Sequence, residues 1–284
     1  MWYWLKQGNK PDLGVLENSA MTYVKNDLWL TVTADLLANY PDAVNRIYKG
    51  EIDGMLIKQV FTKEEMLKAK HQLENIKSRK SVGYGESFGV VLPAKENEPT
   101  KYFQDVNVYR NDLKNIFEGG YEQRIEGLLS KVSGGRVVEI ASENNQTYAP
   151  AQIRFVEPNK GGIIIHKGSQ FLQHPSFAHL TKIARLQEHL SYFLIVDKPE
   201  EGGELIIYDL PPEEAKKDFD TLVKDSAFEK CDKKYISPDI GDMVLFHGGT
   251  IWHKVAEARG NKNRISIGGF VAISTDDQKI FYWS

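Results

Sequence analysis

From about residue 147 onward the chain breaks into short apolar runs separated by paired glycines and Gly-Asp steps. That texture limits the fold more than any other feature. The runs are too short for stable helices, and the glycines between them reverse the chain. Strands are expected near 151–156, 162–167, 191–197, 204–209, 243–247, 251–256 and 264–273, with Gly202-Gly203 and Gly241-Asp242 as turns. Many short strands joined in this way imply a sandwich or a jelly-roll barrel. Two helices are expected within this half. One covers about 175–190, with Phe177, Leu180, Ile183 and Leu190 on one stripe. The other covers about 212–225 after Pro211-Pro212. The charged segment 211–234 around it is a candidate lid near the barrel mouth.

The first 135 residues have a different period. Thr62-Lys-Glu-Glu65 is a capping box ahead of Met66, Ala69, Leu73 and Ile76 at helical spacing. Leu113, Ile116 and Phe117 begin a further helical stretch. It resumes after Gly119-Gly120 with Ile125, Leu128, Leu129 and Val132, and Gly134-Gly135 stops it. Gly54 to Phe61 reads as a strand, and 94–100 as a mobile loop. The expectation is one domain over 1–284, mainly β with flanking helices (α+β). A helical part over about 1–135, with some strands, supports a barrel over about 147–284.

Composition excludes several classes. Thirty-six basic and 39 acidic residues give a net charge of −3, unlike a nucleic-acid-binding surface. Cys231 is the single cysteine, so no internal disulfide forms, which fits a reducing compartment. The start, Met1-Trp-Tyr-Trp-Leu-Lys6, lacks the features of a signal peptide, and no apolar run approaches the ~20 residues of a membrane span. A soluble cytoplasmic protein is the expectation.

Of the seven histidines, two sit in apolar strand-like runs: His166 in Gly161-Gly-Ile-Ile-Ile-His166, and His253 in Ile251-Trp-His-Lys-Val255. Two strand histidines converging inside a barrel suit a metal, because neutral imidazole is a common ligand of iron and zinc. His247 is a weaker rival to His253, since it opens a turn. His71, His174, His179 and His189 read as ordinary surface or core residues. A His followed two places later by Asp or Glu is half of the two-histidine, one-carboxylate iron site. Here that place holds Gly168. In Asn263-Arg-Ile-Ser-Ile-Gly-Gly-Phe270, period two puts Arg264, Ser266 and Gly268 on one face. An inward arginine needs an anion, either a structural Asp or Glu or a ligand carboxylate.

In their order and strand types, His166, His253 and Arg264 resemble the iron- and 2-oxoglutarate-dependent oxygenase superfamily. With Gly168 in place of the acid, the chain resembles its aliphatic halogenases. Several stretches are similar to the freestanding halogenases of hapalindole-type indole alkaloids (the welwitindolinone group). They are Thr147-Tyr-Ala-Pro-Ala-Gln-Ile-Arg154, Leu190-Ser-Tyr-Phe193, Pro199-Glu-Glu-Gly-Gly-Glu-Leu205, Gly241-Asp-Met-Val-Leu-Phe246, Ile267-Gly-Gly-Phe-Val-Ala-Ile-Ser274 and Tyr282-Trp-Ser284. The likeness is good from about 105 and traceable from about 50.

This resemblance implies a double-stranded β-helix (jelly-roll or cupin-like) core. It also implies Fe(II) on His166 and His253, with chloride or bromide at the place left open by Gly168. Arg264 and Ser266 would hold 2-oxoglutarate, and Arg154 would contact halide or 2-oxoglutarate. Ser191 would orient groups near the iron, and Phe171, Tyr84, Phe88 and Val90 would line the substrate pocket. It implies consumption of O2, release of succinate and CO2, and halogen transfer to an unactivated carbon of a small molecule, freestanding rather than carrier-bound. Charge supports the exchange: Fe(II), two neutral histidines and the 2-oxoglutarate dianion sum to zero, so chloride replaces the usual carboxylate like for like. Three other readings stand beside it: a hydroxylase completed by water, Asp197 or Asp209; a non-catalytic jelly-roll binding module; and a zinc hydrolase, which would want a third protein ligand.

Overall fold

A computed structural model describes residues 28–96 and 98–284 of the chain. The aromatic start Met1 to Lys6, and Asn97 in the expected 94–100 loop, lie outside the described residues. The expected strands form as Gln152–Val156, Ile163–His166, Leu190–Asp197, Leu205–Asp209, Met243–Phe246, His253–Val255 and Arg264–Ile273. They divide between two sheets.

Among the described residues the larger sheet has ten strands. Its main path runs Trp29–Thr33, Gly54–Lys58, Met243–Phe246, Leu190–Asp197, Arg264–Ile273, Gln152–Val156, Gly85–Phe88 and Lys80–Val82. Lys279–Trp283 also pairs with the Arg264 strand, and Val137–Ile140 pairs with Lys279–Trp283. The smaller sheet runs Asp232–Ile236, Leu205–Asp209, His253–Val255, Ile163–His166, all antiparallel. The region before residue 90 therefore contributes more strand than its texture suggests, and its strands extend both edges of the larger sheet.

The sheets face each other as a jelly roll. Leu205, Ile207 and Ile236 of the smaller sheet meet Trp29, Phe193, Ile195, Val244 and Phe246 of the larger one. Strand alternation sorts the side chains. Tyr192, Leu194 and Val196 turn outward into a second core under the helices. Ser191, Phe193 and Ile195 take the opposite, inward face.

Four helices supply that second core: α1 (Ala43–Tyr48), α2 (Lys63–Glu74), α3 (Pro99–Ile116) and α4 (Tyr121–Lys131). The capping box forms as read, with Glu65 N–H donating to Thr62 Oγ1 (3.1 Å) and Thr62 N–H to Glu65 Oε2 (2.7 Å). On α3, Tyr102, Phe103, Val106, Tyr109, Leu113 and Ile116 recur at helical spacing and are buried. Among the described residues no helix is long and apolar enough to cross a membrane.

Three expectations change. The helix over 175–190 is broken into Pro175–Phe177, Ala178–Ile183 and Leu186–Glu188. Ala184 is extended because it bridges Ser274, and Arg185 N–H donates to the Ile273 carbonyl. Pairing with the sheet outweighs helix propensity there. The helix over 212–225 is likewise broken, into Pro212–Ala215 and Phe219–Lys224, and a further short helix, Ala227–Lys230, follows. Asp218 is extended and caps the middle piece, accepting from Thr221 N–H at 2.9 Å. Leu222, Ala227 and Phe228 pack on Ile206, Tyr208 and Trp252. Ile206 and Tyr208 alternate with inward Leu205 and Ile207, so this layer backs the outer face of the smaller sheet. Finally, helical pieces reach into both ends of the expected 94–100 loop: a short 3-10 turn spans Leu92–Lys95, and Pro99 begins α3.

Candidate metal centre

His166 and His253 are direct cross-strand partners in the smaller sheet, with ring centroids 4.3 Å apart. Each ring is fixed in the same way. His166 Nδ1 lies 2.8 Å from the Ile164 carbonyl, and His253 Nδ1 lies 2.8 Å from the Ile251 carbonyl. A carbonyl only accepts, so each Nδ1 carries the proton and each Nε2 presents a lone pair. That is the tautomer a metal needs. Burial pushes the His166 imidazole down to about 4, with the Arg154 charge adding to the shift. Burial and the adjoining His166 hold His253 well below its usual value. Both are therefore neutral near pH 7. Phe246 stands edge-on to His253 at 4.9 Å, and Phe171 lies 6.0 Å from His166.

The carboxylate of an ordinary iron triad has no counterpart among the described residues. Among the described residues, no group of three or more His, Cys, Asp or Glu side chains could hold a metal. Asp197 pairs with Lys70 at 2.7 Å, and Asp209 is exposed at a strand end. Neither reaches the histidines as a ligand. The strand stops at His166, one residue short of the expected 167, and Gly168 opens the turn Gly168–Phe171. Its N–H donates to the Gly248 carbonyl at 2.8 Å, and Ser169 N–H to the Gly249 carbonyl at 3.1 Å.

Arg264 is 2% exposed and points into the barrel. Its Nε donates to the Gly203 carbonyl (2.8 Å) and its Nη1 to Ser266 Oγ (2.9 Å). Nη2 is buried with no hydrogen-bond partner. Burial and the nearby Arg154 guanidinium lower its pKa to about 10, so it stays charged at neutral pH. A buried cation with a free N–H is costly without an anion. Gly203, at φ +76°, leaves room for the arginine stem; a Cβ there would lie 3.0 Å from Arg264 Cδ.

Arg154 is the cross-strand partner of Ser266, and its side chain hydrogen-bonds Tyr84. Its charge depresses His166, His253 and Arg264 alike, which places it among them. Ser191 pairs with Phe246 and Phe270 on the inward face. Tyr84 packs with Val156, Ile163 and Val255. Phe88 and Val90 go elsewhere. Phe88 is paired with Ile153 and stands edge-on to Tyr109 of α3 at 5.3 Å, and both Phe88 and Val90 belong to the helix-side core. The ring of His247, the rival ligand, lies tilted against Tyr48 of α1, with centroids 6.0 Å apart.

Sequence reasoning missed His189, which is 2% exposed and lies against Gly168. Its signal was the His189-Leu-Ser191 alternation, which puts positions 189 and 191 on the same side as the strand begins.

The sequence profile of the carrier-protein-independent halogenase WelO5 matches residues 26–284. Comparison with curated protein sequences gives no match. Among solved structures, the chain is similar to an N-substituted L-amino acid dioxygenase from Burkholderia ambifaria AMMD (TM-score 0.55, 15% identity, 84% of this chain and 90% of that one). The same dioxygenase in complex with alpha-ketoglutarate aligns at a TM-score of 0.52 with 16% identity, over 84% of this chain and 90% of that one. The non-haem alpha-ketoglutarate-dependent carbocyclase SnoK of nogalamycin biosynthesis aligns at 0.53, with 16% identity over 87% and 88% of the two chains. At these identities the three structures share the fold.

Proposed function

The chain belongs to the carrier-protein-independent halogenase family, and from that premise we propose that it is an Fe(II)- and 2-oxoglutarate-dependent halogenase. Its substrate is a freestanding small molecule with an unactivated aliphatic carbon, and chloride or bromide is its halide. The observation that carries this reading is the pair of Nε2 lone pairs on His166 and His253 beside Gly168, with no carboxylate among the described residues to join them. Bound iron with 2-oxoglutarate would supply dioxygen activation and a halide for transfer, releasing succinate and CO2.

The chain's own residues bind, orient and exclude. His166 and His253 hold the metal without adding charge. Arg264 Nη2, the orphan donor, takes the distal carboxylate of 2-oxoglutarate, with Ser266 Oγ holding the guanidinium in place. Arg154 adds a second positive charge facing the histidines and favours an anion there. Ser191 offers a hydroxyl on the inward face, where it can orient a polar group beside the metal. Phe171, Phe193 and Phe246 wall this region with apolar surface and limit water. Choice of halogen over hydroxyl transfer is then a matter of where the substrate is held. The hydroxylase alternative loses its carboxylates to the positions of Asp197 and Asp209.

Anaerobic titration with Fe(II) and then 2-oxoglutarate should give a visible charge-transfer band that shifts on adding chloride. With a panel of indole alkaloids, the product should carry the halide only when halide is present. A band indifferent to chloride, with a product unchanged by its omission, overturns the halogenase reading. Absence of any band overturns the metal centre itself.

A further inference from the structure

We propose that Lys167 is a positioning residue for the metal centre: from the outer face of the smaller sheet its ammonium joins the ends of the two histidine strands and so fixes the spacing of their imidazoles. The inference rests on the two-histidine metal reading above.

The strands themselves do little to fix that spacing. Ile163–His166 is an edge strand of the smaller sheet, paired on one side only, with His253–Val255. The register of that pairing shifts between the His253–His166 rung and the next one, Val255–Ile163. A ladder is locally disrupted where its register shifts. On the other side of the histidine rung both strands end, one after His166 and the other before His253. The imidazoles therefore sit between an irregularity and a strand end, yet their centroids stand 4.3 Å apart.

Lys167 supplies a further rung. It is extended (φ −129°, ψ 145°), so its side chain turns outward where that of His166 turns inward. Its Nζ lies 4.8 Å from the ring of Trp252, the residue before His253, and donates to the Ala215 carbonyl at 3.0 Å. Its backbone N–H donates to Gln170 Oε1 at 3.0 Å and holds the start of the turn Gly168–Phe171. Trp252 is seated in turn against the rings of Phe219 and Phe228, at 5.9 and 5.5 Å. One side chain thus ties the end of the His166 strand to the start of the His253 strand and to the helix piece Pro212–Ala215.

Neither stability nor charge accounts for a lysine here. Lys167 is half-buried, and among the described residues no carboxylate pairs with it. Methionine would pack on Trp252 without the cost of desolvating an ammonium. A cation behind the histidines also repels a metal cation rather than attracting one. What only a cationic donor provides is the directed bond to Ala215 together with the contact to the indole face.

The test titrates metal-free protein with Co(II) alone, without oxygen, and follows its visible bands. K167M should leave the Tm of the metal-free protein nearly unchanged and weaken Co(II) binding at least about 10-fold. K167R, which keeps the charge and the donors, should restore most of the affinity. L222V, which loosens the same outer layer at Leu222, should lower Tm and leave Co(II) binding unchanged. Unchanged or tighter Co(II) binding in K167M overturns the proposal, the latter because relief of repulsion would then be the whole effect. An equal loss in L222V overturns it as well. If wild type binds no Co(II), the metal reading has failed, and amide exchange of the metal-free protein still decides the clamp. Exchange over 163–169 and 251–255 should quicken in K167M and not in K167R; equal rates in all three proteins overturn it.

Discussion

Among single residues, Arg264 is the sharpest case of a side chain whose surroundings are incomplete. Two of its donors are spent on Gly203 and Ser266, and the third is buried and idle. Its ring neighbour Phe193, 5.1 Å from the guanidinium carbon, offers a π face but no acceptor. Replacing it with lysine keeps a charge but loses the planar fork. R264K should therefore weaken 2-oxoglutarate binding roughly 10- to 100-fold, the value of about one or two charge-assisted hydrogen bonds. The midpoint of the 2-oxoglutarate titration reads this directly, and S266A should produce a smaller change in the same direction. Unchanged midpoints would mean that the anion binds elsewhere.

At the scale of elements, the residues next to the two histidines face the other way and fasten the outer layer. Lys167 Nζ and Trp252 Nε1 both donate to the Ala215 carbonyl, at 3.0 and 3.1 Å, and Lys167 sits 4.8 Å from the Trp252 ring. W252F keeps the ring against Phe219 and Phe228 and deletes one donor. It should cost about 1 kcal/mol and raise amide exchange over 219–230, with little change elsewhere. The sequence shows these strands well because each alternates between a helix-backed core and the barrel interior, which leaves dense apolar runs. It shows the short helices poorly. Ala184 breaks one through a bridge to the distant Ser274, and Asp218 breaks the other by capping Thr221 N–H; neither residue marks itself in the apolar pattern. Resemblance alone places Phe88 at the pocket; strand pairing sets it opposite Ile153 and within the helix-side core, and Ser87 pairs with Arg154. His166, His253 and Arg264 were legible because a polar residue inside an apolar strand stands out. His189 precedes its strand and falls outside such a run, so it did not.

For the molecule as a whole, charge is distributed against its sum. The chain carries a net −3, yet the barrel interior gathers Arg154, Arg264 and two histidines, with no acidic ligand among them. Such an interior suits two small anions, and it makes the metal-free protein sensitive to acid. Burial depresses His166 and His189 to about 4 and, with the adjoining His166, holds His253 well below its usual value. Their unfolded value is near 6.5, so below that pH the unfolded chain binds protons that the folded chain refuses. Stability from these groups is complete above about pH 6.5 and is lost as pH falls toward about 4. Each contributes a slope of up to about 1.4 kcal/mol per pH unit in that window. Urea midpoints of the metal-free protein should therefore fall steadily from pH 7 to pH 5. H189A should lessen the slope, since it removes one of the titrating groups. A flat profile over that range would mean that the histidines titrate in the fold as they do in the unfolded chain, and so are not held neutral by burial.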